Sequence, residues 1–178
     1  MTTNFDFLKN IDNDLFIIAG IAEKLYRDEY FEQCMGQTRR FAENAIKRLL
    51  GKNAPYDATF DQLINTLKDR STGNSIEKEF IDDLYFLKKA GNISVHGAVV
   101  KKDGITALEC LRRMFEVAIN YAVHIDKTNA NLLKLSYDEE LLLLGRPKQQ
   151  KTLQEKYIAA KEPVSYTHLR AHETGAYL

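Results

Sequence analysis

Hydrophobic residues recur at helical spacing along the first half of the chain. The pattern covers residues 13–27, then about 29–50, and then a shorter stretch that begins at Thr59 and ends near Arg70. Thr59 and Gln62 have the spacing of a capping box, which marks the start of a helix. Because apolar positions at i, i+3, i+4 and i+7 form one face of an α-helix, we predict three amphipathic helices here.

A fourth helical pattern runs from Asn74 to about Ala90 and is apolar on nearly all sides. Asn74 and Glu77 have capping-box spacing, so this helix is predicted to start there. A helix that is apolar all round belongs in the middle of a bundle, where we expect this one to lie. The pair Gly91-Asn92 follows directly, and a glycine after the last apolar position predicts the end of a helix.

The helical pattern resumes after residues 98–104, a segment predicted to be irregular or a short extended piece. Thr106 and Glu109 have the spacing of a helix start, and the apolar positions continue to Ala122. No stretch of the sequence offers several strands separated by turn signals. The predicted fold class is therefore all-α, a helical bundle of about five helices with a trailing linker helix.

The composition changes after the fifth predicted helix. Ser136 and Glu139 can cap a short helix, and residues 148–161 are polar and helix-prone, with only a thin apolar line. We therefore predict a bundle domain over residues 1–126. Residues 127–163 are expected to form a short helix and a linker helix toward further domains downstream.

The end of the chain has a different character. Residues 164–174 read VSYTHLRAHET, which resembles one reading frame of a transposase-type sequencing-library adaptor. Residues 164–178 are therefore expected to be non-native, and the natural reading frame is expected to continue past Pro163. His168 and His172 have a spacing that can hold a metal on a helix, but they lie in this tail, so no metal site is predicted.

Charge and composition exclude several classes of protein. Lysine plus arginine and aspartate plus glutamate both total 25, so no global field attracts nucleic acid or an anionic membrane. No apolar run reaches the roughly 20 residues of a membrane span, and the N-terminus lacks the features of a secretory signal. We expect a cytoplasmic protein without membrane contact. Cys34 and Cys110 are expected to be free, buried thiols.

Basic doublets are spread over the predicted helices. They are Arg39-Arg40, Lys47-Arg48, Lys88-Lys89, Lys101-Lys102 and Arg112-Arg113. Doublets that converge in space would form a patch that follows a phosphate backbone, whereas a face of mixed charge is normally only solvated. On the fifth helix, Arg113, Glu116 and Asn120 are predicted to share the outer face. Both interpretations remain open on the sequence alone.

Asn92 and His96 are the first candidates for a site. Held at the end of a core helix, they could bind a phosphate or a base, or transfer a proton. Alternatively, Asn92 caps the next turn and backbone groups satisfy His96. Asp82 and Asp83 are adjacent on a helix and point about 100° apart, so they do not form a catalytic pair of carboxylates. Phosphate-loop, nucleophile-elbow, zinc-protease and dinucleotide motifs are absent from the sequence.

Three stretches of sequence resemble one particular module. They read NFDFLKNIDNDLF, AEKLYRDEYFEQCMGQTRRFAENAIKRLLG and EKEFIDDLYFLKKAGNISVHG. They are similar to the helical domain of unknown function at the start of type I restriction endonuclease R subunits and related helicases. The resemblance covers about residues 4–125, and LQEKYIAAK resembles the linker ahead of the nuclease domain. The module is similar in turn to the HEPN superfamily of helical bundles.

The HEPN resemblance implies a test for ribonuclease chemistry. Active members carry an arginine followed four to six residues later by a histidine, often with a polar residue directly after the arginine. Asn92 and His96 match the polar residue and the histidine, but Gly91 stands in the place of the arginine. Lys89 is the nearest cation, and lysine lacks the planar fork of arginine. This departure counts against ribonuclease activity.

The leading hypothesis is therefore a non-catalytic module of a restriction R subunit or related ATP-dependent DNA translocase, with no cofactor or metal in this fragment. Its expected partners are its own downstream nuclease and motor domains, DNA, and the modification and specificity subunits. The residues proposed for nucleic-acid contact are Arg39, Arg40, Lys88, Lys89, Asn92 and His96.

Two alternatives belong to other classes. One is a metal-independent HEPN-type ribonuclease, with His96 as acid–base catalyst, Lys89 as phosphate ligand and Asn92 beside them. The other is a self-associating scaffold, a homodimer through exposed tyrosine and phenylalanine side chains.

Overall fold

The computed structural model describes residues 3–95 and 102–144. Within these two ranges there is no strand, and the all-α prediction is confirmed. The described α-helices are α1 (Asn13–Arg27), α2 (Phe31–Leu50), α3 (Phe60–Asp69), α4 (Ser75–Val95), α5 (Lys102–Ile125) and α6 (Glu139–Leu143). Short 3-10 helices form at Asp6–Asn10, Gly51–Asn53 and Lys127–Lys134.

The starts of the first helices follow from local capping. Asp12 accepts a hydrogen bond from the backbone N of Leu15 at 3.1 Å, and α1 has the predicted bounds. Thr59 and Gln62 form the predicted capping box at the start of α3. At the end of α2, Gly51 has a φ of 52°, a conformation that glycine adopts without a steric penalty. These predictions from short-range sequence signals are confirmed.

Three predicted helix boundaries are wrong. α4 continues through Gly91 to Val95, and α5 already begins at Lys102, so Thr106 lies inside the helix. The cap of α6 is Asp138 instead of Ser136, because the carboxylate of Asp138 accepts from the backbone N of Glu140 at 3.0 Å and of Leu141 at 3.2 Å. At α6, both Ser136 and Asp138 had the chemistry of a helix N-cap.

The helix that is buried nearly all round is α5, whereas α4 was predicted to take that place. Arg112 has no exposed surface, and Glu116 and Asn120 are only 5% and 7% exposed. The prediction that Arg113, Glu116 and Asn120 share an outer face is therefore wrong. The physical reason is that the chain after α5 folds back, so that the 3-10 helix Lys127–Lys134 packs against α5.

The two ends of the described chain meet in a buried polar cluster. The Glu23 carboxylate accepts hydrogen bonds from Asn4 Nδ2 at 3.0 Å and from the Tyr137 hydroxyl at 2.7 Å. Asn4 also exchanges two hydrogen bonds with the backbone of Asp138. Residues on both sides of the predicted domain division at 126 thus contact each other. The role of residues 127–163 as a linker stays a prediction.

Other predictions fall on different parts of the chain. Cys34 and Cys110 are free and buried, as predicted. Among the described residues, no helix combines the length and the hydropathy that crossing a bilayer requires. The predicted helix at 148–161 and the tail at 164–178 lie outside the described residues.

Candidate functional site

Several of the candidate residues meet where α2 crosses α4. Gly91 of α4 lies directly against the side chain of Arg39 of α2. A Cβ atom built on Gly91 would lie 2.5 Å from Cδ and 2.7 Å from Cβ of Arg39, below the 3.0 Å that real Cβ contacts keep. Gly91 lies inside α4, and because it has no side chain it allows α2 to approach α4 closely. Its predicted role as the end of the helix is wrong.

The side chain of Arg39 is supported from a second side. Its guanidinium carbon lies 5.6 Å from the centre of the Phe60 ring, which is within the range of a cation–π contact. Its Nε atom is buried and has no hydrogen-bond partner among the described residues. Arginine stays charged at any pH a protein meets, so the structure holds a half-buried cation in a defined place.

Lys88 and Asn92 lie on α4 within about 100° of Gly91 around the helix axis, whereas Lys89 points about 160° away from Gly91. Lys88 Nζ is 3.3 Å from the carboxylate of Asp61 on α3, and the two side chains are 27% and 52% exposed. The side chains of Lys89 and Asn92 are exposed. Residues three and four apart on a helix are neighbours on its surface, so both lysines flank Asn92. This α2–α4 crossing is the candidate site. It is defined by Arg39, Lys88, Gly91 and Asn92, with Lys89 beside Asn92 at its edge.

Two candidates are not brought into this site. Arg40 is exposed, and successive residues of a helix point about 100° apart, so its side chain leaves α2 in a different direction from that of Arg39. His96 lies outside the described residues, and its distance to Asn92 stays untested. The described part of the site thus contains three cations, one amide and one nearby carboxylate.

Other basic doublets hold the bundle together. Arg112 Nε donates to Glu139 at 2.6 Å, and Arg113 Nη1 donates to Asp83 at 2.8 Å. Arg48 bridges Asp12 and Asp14 of α1, at 2.9 and 3.0 Å. These arginines satisfy carboxylates between elements and are not available as a surface patch. Lys101 and the side chain of Lys102 lie outside the described residues.

The buried carboxylate of Asp83 is the most perturbed acid near α4. Burial raises its pKa to about 7, against the opposing attraction of the Arg113 guanidinium. Asp82, its neighbour, is exposed, so the prediction that these two residues do not form a carboxylate pair is confirmed. Asp83 belongs to an ion pair between α4 and α5 and does not face the candidate site.

Sequence reasoning missed two side chains of this region, Phe60 and Asp61. Phe60 follows the capping residue Thr59, and nothing in the local pattern shows that a cation from α2 lies over its ring. The sequence signal that could have indicated close packing of two helices here was the glycine at position 91. A glycine among helix-forming residues, without a proline after it, is as consistent with close helix packing as with a helix end.

The site offers charge and hydrogen-bond donors instead of a nucleophile or a metal. Among the described residues, no group of three histidine, cysteine, aspartate or glutamate side chains is placed to hold a metal ion. An arginine fork, two ammonium groups and an exposed amide are suited to binding an oxyanion such as a phosphate. No family model, curated protein or solved structure matches this chain.

Proposed function

We propose that this chain is a non-catalytic helical module that contacts the phosphate backbone of a nucleic acid through the α2–α4 crossing. The observation that carries the proposal is the position of the Arg39 side chain, which contacts Gly91 and lies over the Phe60 ring. In this position the guanidinium has no carboxylate partner among the described residues, whereas Arg112 and Arg113 are paired with Glu139 and Asp83. A phosphate oxygen is the class of acceptor that fits such a group.

Local charge supports the same proposal. The chain as a whole has a net charge of zero, so any attraction for a polyanion has to come from a local cluster. Lys89 is exposed next to Asn92 on the surface of α4, and the exposed amide of Asn92 can donate to a phosphate oxygen. Contacts of this kind position a protein on a nucleic acid without reading its sequence.

The wider context of the module is part of the proposal. The three stretches of sequence that resemble restriction R subunits and related translocases make an N-terminal module of such a protein our preferred setting. In that setting the phosphate contact would place the module on the DNA next to the nuclease and motor domains. Catalysis would then belong to those domains.

The test is binding of fluorescently labelled DNA, followed by anisotropy at increasing salt. We expect weak, sequence-independent binding. The logarithm of the association constant should fall by about 0.9 per phosphate contact for each tenfold rise in salt concentration. Arg39→Gln is expected to weaken it by about tenfold, the value of one charge-assisted hydrogen bond. Lys52→Gln, an exposed cation on the turn after α2, is the matched control and should bind like the wild type.

Unchanged affinity in Arg39→Gln, or no binding by the wild type at low salt, would contradict the proposal. Lys89→Gln is the second variant. Because Lys89 is exposed, the bundle should tolerate its replacement, and a loss of affinity there supports the site even if Arg39→Gln does not fold.

One contact favours a second candidate function, metal-independent RNA cleavage. α2 brings the aliphatic part of the Arg39 side chain against Gly91, where a HEPN ribonuclease carries its own arginine. His96 would be the acid–base catalyst and Lys89 a further phosphate ligand. The discriminating assay is RNA cleavage by the full chain in the presence of a chelator. Cleavage that disappears in both His96→Ala and Arg39→Gln would favour this function over the non-catalytic module.

A further inference from the structure

A cavity separate from the α2–α4 crossing lies where α2, α3 and α5 end and α4 begins. Its volume is about 240 Å³. The apolar part of its wall includes Leu50, Phe80 and Ile81, which belong to the core, and the partly buried Leu67. A cavity of about 150 Å³ is enough for a benzene molecule, so this one has room for a ring with a short chain.

The polar part of the wall contains two groups with unused hydrogen-bonding capacity. Arg70 is exposed at the end of α3, and no carboxylate among the described residues pairs with it. His124 Nδ1 is 2.6 Å from the backbone oxygen of Asn120. Since a carbonyl oxygen only accepts, Nδ1 carries the proton of this bond, and Nε2 is left as the atom that can meet a ligand.

The wall also contains Glu77, whose carboxylate already accepts hydrogen bonds from the protein. Its Oε2 atom accepts from the Ser71 hydroxyl at 2.7 Å, from the backbone N and hydroxyl of Thr72 at 2.6 and 2.8 Å, and from Gly73 N at 3.0 Å. The hydrogen bond from Ser71, together with those from Thr72 and Gly73, lowers the pKa of Glu77. The same bonds hold the loop between α3 and α4, so this wall is formed without a ligand.

We infer that this cavity binds a small organic carboxylate with an apolar body. The leucines, Ile81 and Phe80 would cover the body, and the planar fork of Arg70 would take the carboxylate in two hydrogen bonds. The four donors keep Glu77 ionised and hold its carboxylate against the loop between α3 and α4, so Arg70 is left as the charged group of the wall that has no partner among the described residues. The site is independent of the proposed nucleic-acid contact and shares no residue with it.

The probe is 3-phenylpropionate, compared with 3-phenylpropan-1-ol and 3-phenylpropylamine, which have the same body with a neutral or a cationic end. Calorimetry or amide chemical shifts of the full 178-residue protein would report binding. We expect a dissociation constant on the order of 1 mM for the carboxylate, given its small number of atoms. The alcohol and the amine should bind at least about tenfold more weakly.

Two variants and one control complete the test. Arg70→Gln should weaken carboxylate binding by about tenfold and leave the alcohol unaffected. Lys68→Gln, an exposed cation of the same helix outside the cavity wall, should change nothing. Leu67→Trp should fill the floor and abolish binding of all three probes.

Equal affinity for carboxylate and amine would overturn the inference. So would unchanged binding in Arg70→Gln, or the absence of saturable binding by the wild type.

Discussion

At the scale of single residues, Gly91 shows two opposing effects of glycine in a helix. Glycine lowers helix propensity, but it leaves room for a neighbouring helix. Glycine in a helix interior costs about 1 kcal/mol relative to alanine, because its backbone loses more freedom on folding. At position 91, the space that a Cβ would need is occupied by Arg39. The steric requirement of the α2–α4 crossing therefore outweighs the helix propensity.

Replacement of Gly91 by alanine tests this balance. We expect Gly91→Ala to lower the free energy of unfolding by about 1–3 kcal/mol, the usual effect of overpacking. The matched control is Gly20→Ala in the middle of α1, where an added Cβ meets nothing within 4 Å. There the substitution should raise stability by about 1 kcal/mol. Urea denaturation of both variants gives the values, and a gain in stability for both would contradict the packing role.

At the scale of elements, α4 and α5 are joined by a buried ion pair. Arg113 lies 2.8 Å from Asp83 and 3.1 Å from Glu109, and its guanidinium is 4.8 Å from the centre of the Phe86 ring. Removing Asp83 from water is costly, and its pKa is raised to about 7 by burial. Because the cost of burying the charges offsets much of their attraction, we expect the pair to add little net stability.

The raised pKa of Asp83 predicts a pH dependence. In the unfolded chain an aspartate titrates near pH 4, so between about pH 4 and pH 7 the folded state binds more protons than the unfolded state. Stability that Asp83 contributes below about pH 4 is therefore lost as the pH rises toward 7. From about pH 4 to pH 7, the free energy of unfolding of the wild type should therefore fall relative to that of Asp83→Asn.

The neighbouring carboxylate provides the control for this experiment. Asp82 is exposed, and Asp82→Asn should keep the loss of stability between about pH 4 and pH 7 that Asp83→Asn removes, with the pKa of Asp83 raised somewhat less because the neighbouring charge is gone. Chemical denaturation at several pH values, with all three proteins measured in parallel, isolates the contribution of Asp83 from other titrating groups. Parallel curves for the wild type and Asp83→Asn would contradict the prediction.

At the scale of the whole molecule, the cluster of Asn4, Glu23, Tyr137 and Asp138 connects the beginning of the described chain with its last helix. Glu23 is 1% exposed, and its pKa is raised by burial, while the hydrogen bonds from Tyr137 and Asn4 oppose that rise. A buried carboxylate without its donors is costly, so residues from both ends of the described part of the chain are required for this part of the core.

Removal of one hydroxyl group tests the cluster. Tyr137→Phe keeps the ring among Phe5 and Phe115 but removes the hydrogen bond to Glu23. We expect a loss of about 1–3 kcal/mol, the cost of a buried acceptor that loses a partner. Tyr56→Phe, at a fully exposed tyrosine, should leave the melting temperature unchanged. Equal melting temperatures for the two variants would show that the cluster adds nothing to stability.

Signals close together in the sequence were sufficient for several elements. α1 and α3 have the predicted starts because Asp12, Thr59 and Gln62 cap them within one turn. α2 ends at Leu50 because Gly51 follows it. Hydrophobic periodicity also determined the fold class, since a buried face repeated at helical spacing has no other regular solution.

Only the tertiary structure decided the roles of the polar residues and of Gly91. Arg112 is bound by Glu139 of the chain after residue 126 and Arg113 by Asp83 of α4, and no local pattern records either contact. Gly91 and Arg39 are far apart in the sequence, so their contact follows from the way α2 and α4 cross. Local hydrogen bonds and periodicity are properties of neighbouring residues, whereas a binding site is formed by residues that packing brings together.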